Sequence, residues 1–300
     1  MHNLPFDKPG QFYKGNLHTH STCSDGVHTP ERVCQIYREL GYDFLSITDH
    51  FMQAFNYPIT DTRPYRTSDF TTLIGSELHT YATITGELWH ILAVGLPLDF
   101  PPNLPDETGP ELAARALATG AYVVVAHPAW YNLTEEDVLA LGPCHAIETI
   151  NGIAADHNDK IDSWYMLDVM LARGYRYNAL TTDDAHMNPN QHDVGRGWVW
   201  VKSAALEPDT LLESLKAGHY YCSSGPQIFD IQLEQDNKVR VRCSPVSSVF
   251  VTGKGWYSSY QHGNGLTEVE LSIKHFKSPY CRVTVRDPHG GRAWSNPIWL

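Results

Sequence analysis

The residues able to do chemistry come in short clusters. Leu17-His18-Thr19-His20 places two imidazoles one residue apart. In an extended segment both leave the same face, so both can grip one ion. Ser24-Asp25-Gly26 adds a carboxylate in the loop that follows, and Thr48-Asp49-His50 adds an imidazole directly after an apolar run. The placement recurs along the chain. Glu77 stands just past Leu73-Ile74-Gly75-Ser76, His90 at the head of Ile91-Leu92-Ala93-Val94, and His127 directly after Ala126. Asp184 and His186 follow Thr181-Thr182. A single histidine at a strand end is more often a hydrogen-bonded structural residue. Nine imidazoles and carboxylates at several strand ends are hard to explain by packing, because these types are seldom buried unless paired or coordinated. The 16 histidines against 22 Lys+Arg point the same way, since histidine is the commonest metal ligand.

Strands and helices must hold these residues. Residues 44–48, 122–126, 146–150 and 177–181 are short runs, rich in β-branched residues, that read as buried parallel strands. Thr29-Pro30-Glu31 opens a helix with an N-cap, a first-turn proline and an acid near the positive dipole end. Val33, Ile36, Tyr37 and Leu40 continue it at helical spacing, and Gly41 stops it. Residues 111–119 and 162–173 are similar, ending at Gly120 and Gly174, and Glu207-Pro208-Asp209 opens another helix that closes near Gly218. This alternation predicts parallel strands with crossover helices, in a barrel or a doubly wound sheet. After Gly225-Pro226 the helical pattern stops. Residues 228–233, 239–243, 249–251, 268–273 and 282–286 are short alternating segments between turn signals such as Asp236-Asn237, Gly263-Asn264-Gly265 and His289-Gly290-Gly291. They predict a small antiparallel β-sandwich, giving two domains, 1–224 and 225–300.

With 300 residues, 42% apolar and 19% charged, the composition is that of a globular chain long enough to hold a core without disulfides. A formal charge of −12 argues against a general nucleic-acid or anionic-membrane surface. No run approaches a membrane span, and the start at Met1 has no basic region followed by an apolar core, so no secretory signal is expected. The six scattered cysteines form no Cys-x-x-Cys pair and read as small buried hydrophobes in a reducing compartment, with cytoplasm the expected location. An oligomer is compatible with all of this.

His18-Thr19-His20, Ser24-Asp25-Gly26, Thr48-Asp49-His50, Glu77, His90-Ile91-Leu92, His127-Pro128 and Asp184-Ala185-His186 together resemble the PHP (polymerase and histidinol phosphatase) superfamily, in the family's order and over residues 15–220. The tail Arg292-Ala293-Trp294-Ser295-Asn296-Pro297-Ile298 and the stretch Gly195-Arg196-Gly197-Trp198-Val199 look like its CehA/McbA-type branch, which includes a carbaryl-hydrolysing enzyme. The resemblance implies a distorted (β/α)7 barrel with two or three divalent ions (Zn, Mn or Fe). One ion would sit on His18, His20, Glu77 and Asp184, and a second on Glu77, His90 and His127. A third would take Asp25, His50 and His186. Many PHP enzymes carry histidine at the position of Asp25, and a carboxylate there is the harder ligand, favouring Mn²⁺ or Fe²⁺.

The activity implied is hydrolysis of a small phosphorylated metabolite or nucleotide. A metal-bridging water would lose its proton near neutral pH and attack phosphorus. Three divalent ions on three ligand carboxylates leave about +3 to draw a phosphoryl group. No Ser or Cys nucleophile is needed. Arg196 is the candidate phosphate clamp, with pairing to Asp193 or another rim acid as its structural alternative. Asp49 is the candidate for orienting His50 or another ligand. Glu148, with Asn151 beyond it, could reach the pocket or simply pair with a basic neighbour. Trp130-Tyr131 could wall the pocket or pack. His79, His145, His157 and His192 read as surface residues, and Trp256, Tyr257, Tyr260, Trp294 and Trp299 as a binding face or as sandwich core. Loops 51–72 and 97–110 would carry selectivity. Two other functions compete: a carbamate, ester or amide hydrolase using the same cluster, and a metal-stabilised module without catalysis.

Overall fold

The computed structural model describes residues 4–234 and 236–300; Met1, where the absence of a signal was read, lies outside the described residues. The fold is mixed α/β with two sheets. One sheet has six strands in the order His50–Phe51, Gly75–Thr80, Trp89–Val94, Tyr122–Val125, Ala146–Asn151 and Asn178–Thr182. Its first pair and last three strands run parallel, as expected. Trp89–Val94 is antiparallel to both of its neighbours, which corrects the all-parallel expectation. The link over residues 81–88 is too short for a crossover helix, so the chain must double back.

Main-chain bonds join the two ends of this sheet. Asp184 N donates to the His18 carbonyl at 2.9 Å, His20 N to Ala185 at 2.8 Å and Thr48 N to Thr19 at 2.8 Å. Residues 18–20 therefore lie between the start and the finish of the sheet.

The helices begin where capping chemistry dictates. Thr29 caps Pro30–Glu39 by accepting from Arg32 N, and Thr108 with Glu111 forms a capping box on Gly109–Ala118. A second capping box, Thr134 with Asp137, starts the short helix Glu135–Ala140, which the sequence pattern did not suggest. Gly41 ends the first helix at φ +74°, a conformation strained for other residues.

The other sheet runs across the expected boundary at 224/225. Nine of its eleven strands run from Ile228–Glu234 through Lys238–Gly253, Tyr280–Arg286, Arg292–Ser295, Tyr220–Ser223 and Trp198–Ser203 to Gln11–Asn16, Phe44–Leu45 and Thr71–Thr72, while Ser258–Ser272 pairs with Lys238–Gly253 and Ile298–Trp299 with Tyr280–Arg286 off this path. Tyr221 pairs with Ser295, Cys222 with Trp294 and Ser223 with Ala293, so the ladder crosses position 224 without a break. Lys238–Gly253 merges two of the expected segments. Ser258–Ser272 continues past Gly263-Asn264-Gly265, which forms an irregularity in the ladder between His262, paired with Ser248, and Leu266, paired with Val246, instead of a turn that ends the strand. The larger apolar core fills the region between the six-stranded sheet and its helices. A second core, around Ile231, Val241, Val249 and Val283, also takes in Leu4 and Tyr221. Five cysteines are buried and Cys23 is exposed, which corrects one of the six. Among the described residues no helix is long and apolar enough to cross a membrane.

Candidate metal centre

The nine expected donors converge. Glu77 and His79 alternate onto one face of Gly75–Thr80; His79 is paired in register with His90, and Glu77 with His50 on the other side. Glu77 thus lies within its strand and not past an apolar run's end. His127 and Asp184 follow their strands with φ of +24° and +52°, unusual values for non-glycine residues that turn their side chains back over the sheet. The loop carrying Asp25 folds tightly: Gly26 N donates to Ser21 O at 2.9 Å, and a Cβ on Gly26 would sit 2.6 Å from the His20 carbonyl.

Glu77 is the hub. Its Oε1 is 2.8 Å from His90 Nδ1, 3.0 Å from His127 Nε2 and 3.5 Å from His18 Nε2. Its Oε2 is 2.7 Å from His50 Nδ1, 3.3 Å from His79 Nε2 and 3.7 Å from His20 Nε2. Asp184 Oδ1 lies 2.9 Å from His20 Nε2 and 3.2 Å from His18 Nε2. Asp25 Oδ1 lies 3.4 Å from His50 Nε2 and 3.3 Å from His186 Nε2. His18 and His20 are fully buried and Glu77 is 1% exposed.

The electrostatics follow from packing carboxylates among imidazoles without solvent. Burial alone would discharge His50, but the charges of Glu77 and Asp25 carry it up to about 10. His18 is likewise raised well above the ordinary range, because Asp184, Glu148 and Glu77 outweigh its burial. His20 goes the other way, to about 4, under burial and the neighbouring His186 and His50. Burial also lowers His79 and His90. Protons on some rings therefore balance the acids. The donor set fits a divalent cation better than it fits itself. His18 Nε2, His20 Nδ1, Glu77 Oε2, His90 Nε2 and His127 Nδ1 are buried without a hydrogen bond among the described residues. Such groups are costly unless something else engages them. Four groups bring ligand atoms of the expected residues within 4.8 Å of one another, close enough to share an ion: His20 with Asp25, His50 and His186; His18 with His127 and Asp184; His18 with His20 and Glu77; and Glu77 with His90 and His127.

Other expectations fare differently. Arg196 turns away: its Nη2 donates to Asp156 at 2.7 Å and its Nε to the His192 carbonyl, and it does not line the cavity. Asp193 is not its partner, since that acid accepts from the main chain of His186 and Met187. Asp49 does not bond His50. It accepts from Ser21 N (2.7 Å), Ser21 Oγ (2.8 Å), Ser24 Oγ (2.8 Å) and Thr60 Oγ1 (2.5 Å), pinning the loop that leads to Asp25. Glu148 lies against the cluster, where simple pairing with a basic neighbour was the favoured reading. Fully buried, it accepts from His18 Nδ1 at 3.0 Å, His127 N at 2.7 Å, Asn151 Nδ2 at 3.2 Å and Thr182 Oγ1. His18 Nε2 is thereby left facing the cluster, the usual arrangement behind a ligating histidine.

His79 corrects the surface reading. It is 2% exposed, with Nε2 against the cluster, as a fifth grouping with His50 and Glu77 reflects. The signal available in the sequence was its two-residue spacing from Glu77. His157 and His192 are exposed, and His145 is half-buried.

A cavity of about 320 Å³ opens onto the cluster, walled by Trp130, Tyr131, Ile153, His157, Asn188 and Gln191. Tyr131 stacks on His90 with centroids 4.1 Å apart. A cavity of about 380 Å³ near Leu4 and Trp299 is larger but has no acid, histidine or cysteine in its lining, so size does not locate the chemistry.

No family model matches the chain, and no curated protein matches it. Solved structures do. A two-domain protein containing a predicted PHP-like metal-dependent phosphoesterase, from Bacteroides vulgatus ATCC 8482, superposes with a TM-score of 0.50 at 16% identity, covering 96% of this chain and 97% of its own. The fold is that of a PHP-like protein. Two more structures overlap over 57% of this chain and 87% of theirs, both at 15% identity. One is a putative metal-dependent phosphoesterase from Bifidobacterium adolescentis ATCC 15703 with a TM-score of 0.43. The other is an amidohydrolase from Chromobacterium violaceum with bound sulfate and no metal, with a TM-score of 0.44. The likeness to the Bacteroides protein runs end to end and takes in the second sheet.

Proposed function

We propose that the chain is a divalent-metal-dependent hydrolase of small phosphoric esters, its cluster set in a distorted (β/α)7-type barrel. The observation that carries this reading is the convergence of buried imidazole and carboxylate atoms, several without hydrogen bonds, at the floor of a cavity. None of the described residues lining that cavity is Ser, Thr or Cys, so no aliphatic hydroxyl or thiol stands ready there as nucleophile.

His18, His20, Glu77 and Asp184 would hold one ion, Glu77, His90 and His127 a second, and Asp25, His50 and His186 a third. When bound, such ions supply Lewis acidity and lower the pKa of water at the site. The chain's own residues do the positioning. Glu148 sets His18, the stack of Tyr131 on His90 fixes that ring, and Asp49 holds the loop before Asp25. Trp130, Tyr131 and Ile153 offer an apolar wall for a ring or base on the leaving group, and Asn188 and Gln191 offer neutral hydrogen bonds. The substrate would thus be a small molecule, and Zn, Mn or Fe the metal.

One observation favours a second electrophile. No Lys or Arg is among the described residues lining the cavity, which suits an uncharged ester, amide or carbamate held by the same cluster. The deciding experiment is a turnover panel on metal-stripped protein reloaded with Zn²⁺, Mn²⁺ or Fe²⁺. Metal-restored hydrolysis of aryl phosphates or phosphodiesters supports the first reading. Hydrolysis of aryl esters or carbamates alone transfers the proposal to the second. Metal binding without turnover of any of them would leave a non-catalytic module.

A further inference from the structure

His79 has no assigned role in the nine-donor scheme, yet it is buried beside Glu77 and His50. Its ring is fixed from one side by the main chain: Nδ1 lies 3.1 Å from the carbonyl oxygen of Trp89. A carbonyl oxygen only accepts, so Nδ1 carries the hydrogen and the neutral ring presents a lone pair at Nε2. That lone pair lies 2.8 Å from His50 Nδ1, in hydrogen-bond geometry. Glu77 Oε2 is also close to His50 Nδ1, at 2.7 Å, but has no hydrogen-bond partner, so it is off the donor direction and free for a cation. His50 must then donate from Nδ1 to His79, so the nitrogen that a deprotonated ring can offer to an ion is Nε2, which faces Asp25 and His186.

We infer that His79 is a positioning residue for metal binding: through the relay Trp89 carbonyl, His79, His50, it presents His50 Nε2 to the ion shared with Asp25 and His186. One backbone oxygen sets the tautomers of two rings in succession. This rests on the cluster being a metal centre, and it places on His79 the occupancy of the site that includes Asp25. Outer partners of ligating histidines typically change metal affinity about 10–100-fold.

Two amide variants separate this role from others. His79→Gln puts a carbonyl acceptor near the place of Nε2, whereas His79→Asn stops short of His50. Metal content is read by elemental analysis after dialysis against buffered free Zn²⁺ or Mn²⁺. Expected is full occupancy in the wild type and in His79→Gln, and loss of one ion with retention of the others in His79→Asn. Equal occupancy in the two variants, whether full or reduced, overturns the relay; equal loss would make His79 a direct ligand or a packing residue. A wild type that binds no ion overturns the metal centre itself, a distinguishable result. Nitrogen-15 spectra of the histidine rings in the metal-loaded wild type need no variant. Expected are Nδ1–H tautomers at both His79 and His50, and an Nε2–H at either ring refutes the assignment.

Discussion

Glu148 is the buried acid on which His18 depends, and every one of its four partners donates to it. Glu148→Gln turns one accepting oxygen into a donor that must face another donor. Expected is a metal affinity about 10–100-fold weaker, measured by competition with a chromophoric chelator, with the fold retained. The protonation pattern makes a second prediction. His50 is raised to about 10 in the metal-free protein, so the stability it contributes is fully present below its ordinary value near 6.5 and is lost as pH rises toward 10. Chelator-stripped protein should therefore show a melting temperature that falls across that window, while metal-loaded protein, its ring already deprotonated by the ion, should not. Calorimetric metal titrations in buffers of different ionisation heat should also report proton release at pH 7. At this scale the nine donors are legible in the sequence, because each sits in a short motif beside an apolar run. Glu148 and His79 are less so. Each is one polar residue inside a strand, and only the neighbours across the sheet reveal which way it points.

Asp49 acts on an element, since its four bonds tie residues 21–24 to the loop at Thr60. Asp49→Ala leaves the Ser21 main-chain N–H unpaired in a buried place, at about 1–3 kcal/mol. Hydrogen exchange should accelerate over residues 21–26 and little elsewhere, and the ion nearest Asp25 should be the one that weakens. The helix starts at Thr29 and Thr108 are readable from capping chemistry alone, because an N-cap is a local device. The antiparallel placement of Trp89–Val94 and the continuation of Ser258–Ser272 past Gly263-Asn264-Gly265 are not. Both are decided by a partner strand, which resumes pairing on the far side of the irregularity those residues make.

Across the whole molecule, side chains stitch the two sheets together. Asn296 binds Ala179 N, the Gly218 carbonyl and the Tyr220 carbonyl; Arg282 forms a double bond pair with Asp168; Trp164 packs on Trp294. Asn296→Ala should cost about 1–3 kcal/mol for each buried group left unpaired, and calorimetry should give one cooperative transition at a lower temperature, not two. Ending the chain at 224 would strip Tyr220–Ser223 of its partner Arg292–Ser295, so that fragment should aggregate. The pairing of Gln11 with Ser203 carries this further. Gln11–Asn16 has no antiparallel mate until Trp198–Ser203 is present, and its apolar neighbours Leu4 and Phe6 pack into a core built largely from residues beyond 228. Contacts of such high sequence separation should make refolding slow, which stopped-flow kinetics after denaturant dilution would check.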